Sequence, residues 1–131
     1  MLGRSVRVFV GKAFRKWAGS EAISDEDLCA AAKEAFDGNV EADLGGYLFK
    51  KRIARTGGGK SGGFRTIIGF RKKKSDRIFF LYGFPKSSRS NITRREKDAL
   101  SVNAKVLIEA DDSQIDALKA KGTIAELECK A

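Results

Sequence analysis

The sequence predicts an α+β fold, a mainly antiparallel sheet with helices packed on one face. Three observations carry that expectation. Three consecutive stretches, Tyr47–Ala54, Phe64–Lys72 and Arg77–Phe84, are rich in β-branched and aromatic residues, and the connections between them are too short for parallel crossovers. Stretches with apolar residues at helical spacing lie on either side of them. The length of 131 residues suits one compact domain over 1–131.

Each element follows from its own residues. Ser5 to Val10 alternates, with Val6, Val8 and Val10 on one face, as a short opening strand does. Lys12 to Ala18 reads as an amphipathic helix whose Phe14, Trp17 and Ala18 share a side. Ser24 suits the N-cap of a second helix, because Asp25, Glu26 and Asp27 then sit at the positive end of the helix dipole. Leu28, Ala31, Ala32, Ala35 and Phe36 give that helix its apolar face, and Gly38 stops it. The three strands then form a meander. Its first connection, Thr56 to Gly63, holds five glycines, and its second, Lys72 to Asp76, is short and charged. Thr93 caps a third helix of about sixteen residues, with Leu100, Ala104, Leu107 and Ile108 facing the core. Ser113 caps a fourth, Gln114 to Lys121, which Gly122 ends, and Thr123 to Glu128 reads as a last strand.

Composition narrows the class. A hydrophobic fraction of 42% with nine Phe is enough for one continuous core and too much for a disordered chain. No apolar run approaches the roughly 20 residues of a membrane-spanning helix. The N-terminus lacks the apolar region of a signal peptide. A soluble, cytoplasmic protein that does not engage a membrane is expected. Cys29, among apolar helix positions, reads as a buried thiol and Cys129 as incidental, so nothing calls for an oxidising compartment. With no His and no clustered Cys, neither a metal site nor a cofactor is expected.

Charge gives the first functional signal. The net charge is +9, and it is local: Tyr47 to Arg89 holds thirteen Lys or Arg against one acid, Asp76, while the remainder of the chain is slightly acidic. Such a field attracts polyanions and speeds their capture. A lysine-rich solvated face is the alternative reading. The run GGGKSGG, Gly57 to Gly63, is not a phosphate loop, because that pattern needs Gly five residues before Gly59 and Ala54 stands there. A strand follows it, so no helix N-terminus is offered to a phosphate.

Strand alternation sorts the cations. Lys50 and Arg52 share a face with Leu48, and Lys51 shares the other with Phe49 and Ile53. Arg65 and Arg71 lie opposite Phe64, Ile68 and Phe70, the better core set, so Arg65 is expected on an open face near Lys50 and Arg52. Cations held together on a rigid sheet repel, and an anionic ligand relieves that repulsion. Pro85 ends the third strand, and Lys86 and Arg89 follow where a strand end opens to a cleft.

The runs Ala42-Asp43-Leu44-Gly45-Gly46, Lys50-Lys51-Arg52-Ile53-Ala54-Arg55 and Gly59-Lys60-Ser61-Gly62-Gly63-Phe64-Arg65-Thr66 closely resemble a RelE-like branch of the RelE/ParE toxin superfamily of bacteria. The likeness continues through Phe80-Leu81-Tyr82-Gly83-Phe84 and Lys86 and covers nearly the whole chain. It implies a RelE/ParE-like fold and a toxin neutralised by a cognate antitoxin, expected to be a helix-turn-helix protein. It also implies a ribosome-associated endoribonuclease that cleaves messenger RNA without a metal and leaves a 2′,3′-cyclic phosphate. By motif, Arg65 matches the arginine of the family's Gly-aromatic-Arg strand start, and Lys86 and Arg89 fall in its basic segment after the next strand. These three are the expected charge stabilisers, with Tyr82 stacking on a base or moving a proton. Lys50, Lys51 and Arg52 match the family's lysine-bearing strand, and with Arg55, Lys60 and Arg71 they form the expected RNA-binding set. Pro85 departs from the Ala common in the branch. The His or C-terminal Tyr that serves some relatives as a base has no equivalent here. The charge map taken alone fits a non-catalytic nucleic-acid-binding module, or a ParE-like toxin with a protein target, equally well.

Overall fold

A computed structural model describes residues 6–54, 63–71 and 76–129. In chain order these form β1 (Arg7–Gly11), α1 (Lys12–Ser20), α2 (Asp25–Phe36), β2 (Ala42–Gly45), β3 (Leu48–Ile53), β4 (Phe64–Gly69), β5 (Arg77–Pro85), α3 (Arg94–Glu109), α4 (Asp112–Ala120) and β6 (Ile124–Leu127). The strands make one six-stranded sheet in the order β2-β3-β4-β5-β1-β6. Every pairing is antiparallel except β1 with β5, so the α+β class and the β3–β4–β5 meander hold.

The helices cover both faces of the sheet, which corrects the expectation of one. Val8, Val10, Phe49, Ile53, Phe64, Ile68, Phe70, Ile78 and Phe80 pack with residues of α1 and α2. Phe9, Leu48, Ile67, Phe79 and Phe84 pack with residues of α3 and α4. The physical reason lies in the strands themselves. All six residues of β4 are buried, as in a strand covered from both sides, where apolar residues run on rather than alternate. Phe9 stacks on Phe79 with ring centroids 4.9 Å apart on one side, and Phe14 on Phe80 at 5.3 Å on the other.

Local signals set the helix ends. Ser24 accepts from the Asp27 N–H and Thr93 from the Glu96 N–H, each closing a capping box. The N-cap of α4 is Asp111 rather than Ser113. Asp111 and Gln114 have the spacing for a capping box and form one, and the Ser113 hydroxyl donates to Asp111 Oδ1 from inside the helix. The short edge strand β2 was not expected, since Ala-Asp-Leu-Gly carries little strand signal. Between β2 and β3, Gly46 has φ +61, and a Cβ there would meet Ser101 Oγ of α3 at 2.4 Å. The left-handed backbone and the closeness of the Ser101 side chain both favour glycine at that turn.

A bulge in β5 decides which way the site residues point. Ile68 lies opposite Phe80, but Ile67 lies opposite Tyr82, so Leu81 is an extra residue. Uninterrupted alternation from Phe80 would have turned Tyr82 and Phe84 toward α1 and α2. The bulge turns both toward α3 instead, and Gly83 faces α1, where a Cβ would come within 2.2 Å of the Trp17 ring.

Cys29 of α2 and Cys129 beyond β6 form a disulfide across a sequence separation of 100, with Cα atoms 5.6 Å apart. This corrects the expectation of a buried thiol and an unrelated one. Pairing of β6 with β1 carries the end of the chain back toward α2, a proximity that no local spacing signals. The bond lies on the α1–α2 side, away from the cation-bearing face. Reduction, or Cys29→Ser, is expected to lower the thermal midpoint by the equivalent of about 2–4 kcal/mol. An unchanged midpoint after reduction would show that the bond constrains nothing the fold depends on. Among the described residues no helix is long and apolar enough to cross a membrane.

Candidate functional site

Three strand ends meet on the α3 side of the sheet: the end of β3, the start of β4 and the end of β5. Strand register places Arg52 opposite Arg65, and Arg65 opposite Phe84, giving one row across three strands. The next row is Lys50, Ile67 and Tyr82. Directly opposed side chains stand about 5 Å apart at Cβ, so like charges there are destabilising unless something neutralises them. Glu41, just before β2, supplies that neutralisation. Its Oε1 forms an ion pair with Arg65 Nε at 2.8 Å.

Arg65 is not on an open face, which corrects the sequence expectation. Only 8% of it is exposed, between Arg52 and Phe84 on the flanking strands and with Glu41 on its guanidinium. The Lys86 N–H donates to the Gly63 carbonyl at 3.2 Å, and Lys50 Nζ donates to the Ser90 carbonyl at 3.3 Å. Arg65 Nη1 is buried and has no hydrogen-bond partner among the described residues. A buried donor left unsatisfied costs about 1–3 kcal/mol, and most proteins avoid it. Here the unused N–H belongs to a cation beside a second cation, a combination that favours an anion.

Arg89 is held in the same region by three aromatic or anionic groups. Its Nη2 donates to the Tyr82 hydroxyl at 2.6 Å and to Glu96 Oε2 at 2.8 Å. Its guanidinium carbon lies 5.1 Å from the Phe84 ring centroid and 5.4 Å from that of Tyr82. The Arg89 hydrogen bond, then the Thr93 N–H, pull the Glu96 carboxyl down to about 2. Glu96 in turn raises Arg89 above the ordinary guanidinium value. Lys86 is exposed in the turn directly after β5, beside the start of β4.

The remaining expected residues separate from this group. Lys51 lies on the α2 side and is withdrawn from the RNA-binding set. It is 4% exposed, and its Nζ donates to Glu34 Oε1 at 2.8 Å and to the Asn39 carbonyl at 2.9 Å, tying α2 to β3. The cause is the two-residue period that puts it with Phe49 and Ile53. Arg71 is at the far end of β4, roughly 20 Å along the strand from Arg65, with its guanidinium carbon 5.7 Å from the Tyr47 ring centroid. Arg55 and Lys60 lie outside the described residues. Two participants had no place in the charge pattern, Glu41 and Glu96. The Thr93-x-x-Glu96 spacing marks a capping box in the sequence, but nothing local announces the second task of the glutamate. Among the described residues no three His, Cys, Asp or Glu side chains gather in one place.

The family whose description is RelE toxin of RelE / RelB toxin-antitoxin system matches residues 6–127, from the start of β1 to the end of β6. No curated protein matches the sequence individually.

Proposed function

We propose that this chain, which belongs to the RelE toxin family, is a metal-independent endoribonuclease that cleaves messenger RNA on the ribosome. Membership makes it the toxin of a toxin–antitoxin pair with a cognate antitoxin as partner. The proposal extends this to a helix-turn-helix antitoxin and to action in the cytoplasm, where translated messages are. One observation carries the reading most: Arg65, nearly buried, keeps an unused Nη1 beside Arg52 at a strand end.

In the proposed reaction the ribose 2′-oxygen attacks its own 3′-phosphorus and the bond from phosphorus to the 5′-oxygen breaks. The 2′-hydroxyl proton is given up and a proton reaches the departing 5′-oxygen, so the products are a 2′,3′-cyclic phosphate and a 5′-hydroxyl. Negative charge builds on the non-bridging oxygens of the pentavalent intermediate, and cations placed in advance stabilise it. Arg65 and Lys86 take that role, with Arg89 assisting. Lys50 and Arg52, on the same face, hold the RNA backbone. The Tyr82 ring stacks on a base or its hydroxyl moves a proton.

The rival reading is a binding module that uses the same cations without chemistry. Expression without the antitoxin separates the two. Arrested growth with new 5′-hydroxyl ends inside translated messages is the expected result. Intact RNA in arrested cells points to a protein target, and salt-steep RNA binding without breaks points to a binder.

A further inference from the structure

Glu96 belongs to none of the basic motifs, yet its carboxylate is where the cation cluster and α3 meet. Its two oxygens do different work. Oε1 accepts from the Thr93 N–H at 2.8 Å, which completes the capping box at the start of α3. Oε2 accepts from Arg89 Nη2 at 2.8 Å and from the Tyr82 hydroxyl at 3.3 Å. Arg89 Nη2 also donates to the Tyr82 oxygen at 2.6 Å, so the three side chains close a ring of hydrogen bonds. A guanidinium has donors only, so the Tyr82 oxygen accepts from it and the phenolic proton is directed at Glu96. The ring rests on Phe84, the cross-strand neighbour of Arg65.

An arginine in a surface turn ordinarily spreads over many rotamers, and ordering it at the moment of reaction costs entropy. A carboxylate fixed in the first turn of a helix removes that requirement through charge-assisted bonds. We infer that Glu96 is a positioning residue for RNA cleavage: its Oε2 holds the Arg89 guanidinium and the Tyr82 hydroxyl against Phe84, oriented before substrate arrives. The inference rests on the nuclease reading above. Glu96 acts through its two partners and touches no substrate.

Glu96→Gln is the discriminating variant. Its amide oxygen still accepts from the Thr93 N–H, while an NH₂ group replaces Oε2 and accepts from neither Arg89 nor Tyr82. With the full chain on programmed ribosomes, kcat is expected to fall about 10–100-fold, with KM changed less than about twofold and the thermal midpoint near that of the parent. Thr93→Ala breaks the same capping box from the other side. It is expected to lower the midpoint but to leave kcat within about twofold, which a purely capping role for Glu96 does not allow. In an Arg89→Ala background Glu96→Gln is expected to cost far less than it does in the parent. Parent-like kcat in Glu96→Gln, or its full loss repeated without Arg89, overturns the inference. Arg65→Ala separates the two levels. If that variant is inactive while Glu96→Gln cleaves normally, only the positioning role fails; if the parent itself leaves RNA intact on programmed ribosomes, the nuclease reading fails and takes this inference with it.

Discussion

Arg65→Ala is expected to lower cleavage on programmed ribosomes by about 10²–10³-fold, with the protein still folded. The side chain spans from a buried stem to a guanidinium with one nitrogen on Glu41 and another unused. Truncation therefore removes the best-placed cation of the cluster while giving up one ion pair. Glu41 is about one-third exposed on its side chain and regains water, so the stability loss is expected to stay near 1–2 kcal/mol. Arg65→Lys keeps the charge but not the planar fork of donors, and is expected to recover only part of the rate. Cleavage, thermal midpoint and ribosome binding measured together distinguish lost chemistry from lost folding. Undiminished cleavage by a folded Arg65→Ala protein would remove Arg65 from the mechanism.

The largest expected loss of stability follows Phe80→Ala, about 3–5 kcal/mol. Phe80 is fully buried, stacks on Phe14 of α1 and sits in β5 immediately before the Leu81 bulge. Shortening it opens a cavity between the sheet and α1 that rigid neighbours, Phe14 and Ile78, fill only in part. Domains of this size have total stabilities of about 5–15 kcal/mol, so a change of this size removes a large share. Denaturant unfolding measures it directly. A loss below about 1 kcal/mol would mean that the two layers on this side repack freely, against the density expected of a protein interior.

These two residues also mark how much of the molecule is legible in its sequence. The helix starts at Ser24 and Thr93, the meander and the shared face of Lys50, Arg52 and Arg65 all follow from patterns a few residues long. Such patterns work because capping, helical spacing and strand alternation are set by neighbours within about four residues. Lys51 shows the same rule from the other side: alternation placed it with Phe49 and Ile53, and there it is, buried against Glu34.

Tertiary structure decided everything that joins distant segments. The bulge at Leu81 exists only because β4 and β5 are paired, and it turns Tyr82 and Phe84 toward Arg65. The return of the chain end along β1 brings Cys129 to Cys29, and long-range packing leaves Arg65 nearly buried where alternation alone leaves it open. Glu41 and Glu96 become partners of the cations by the same long-range placement. By itself the sequence determined which cations share a side of the sheet, since that depends on a period of two. Only the folded chain decided which of them are buried, neutralised or left with a free donor, since that depends on contacts between residues far apart in the chain.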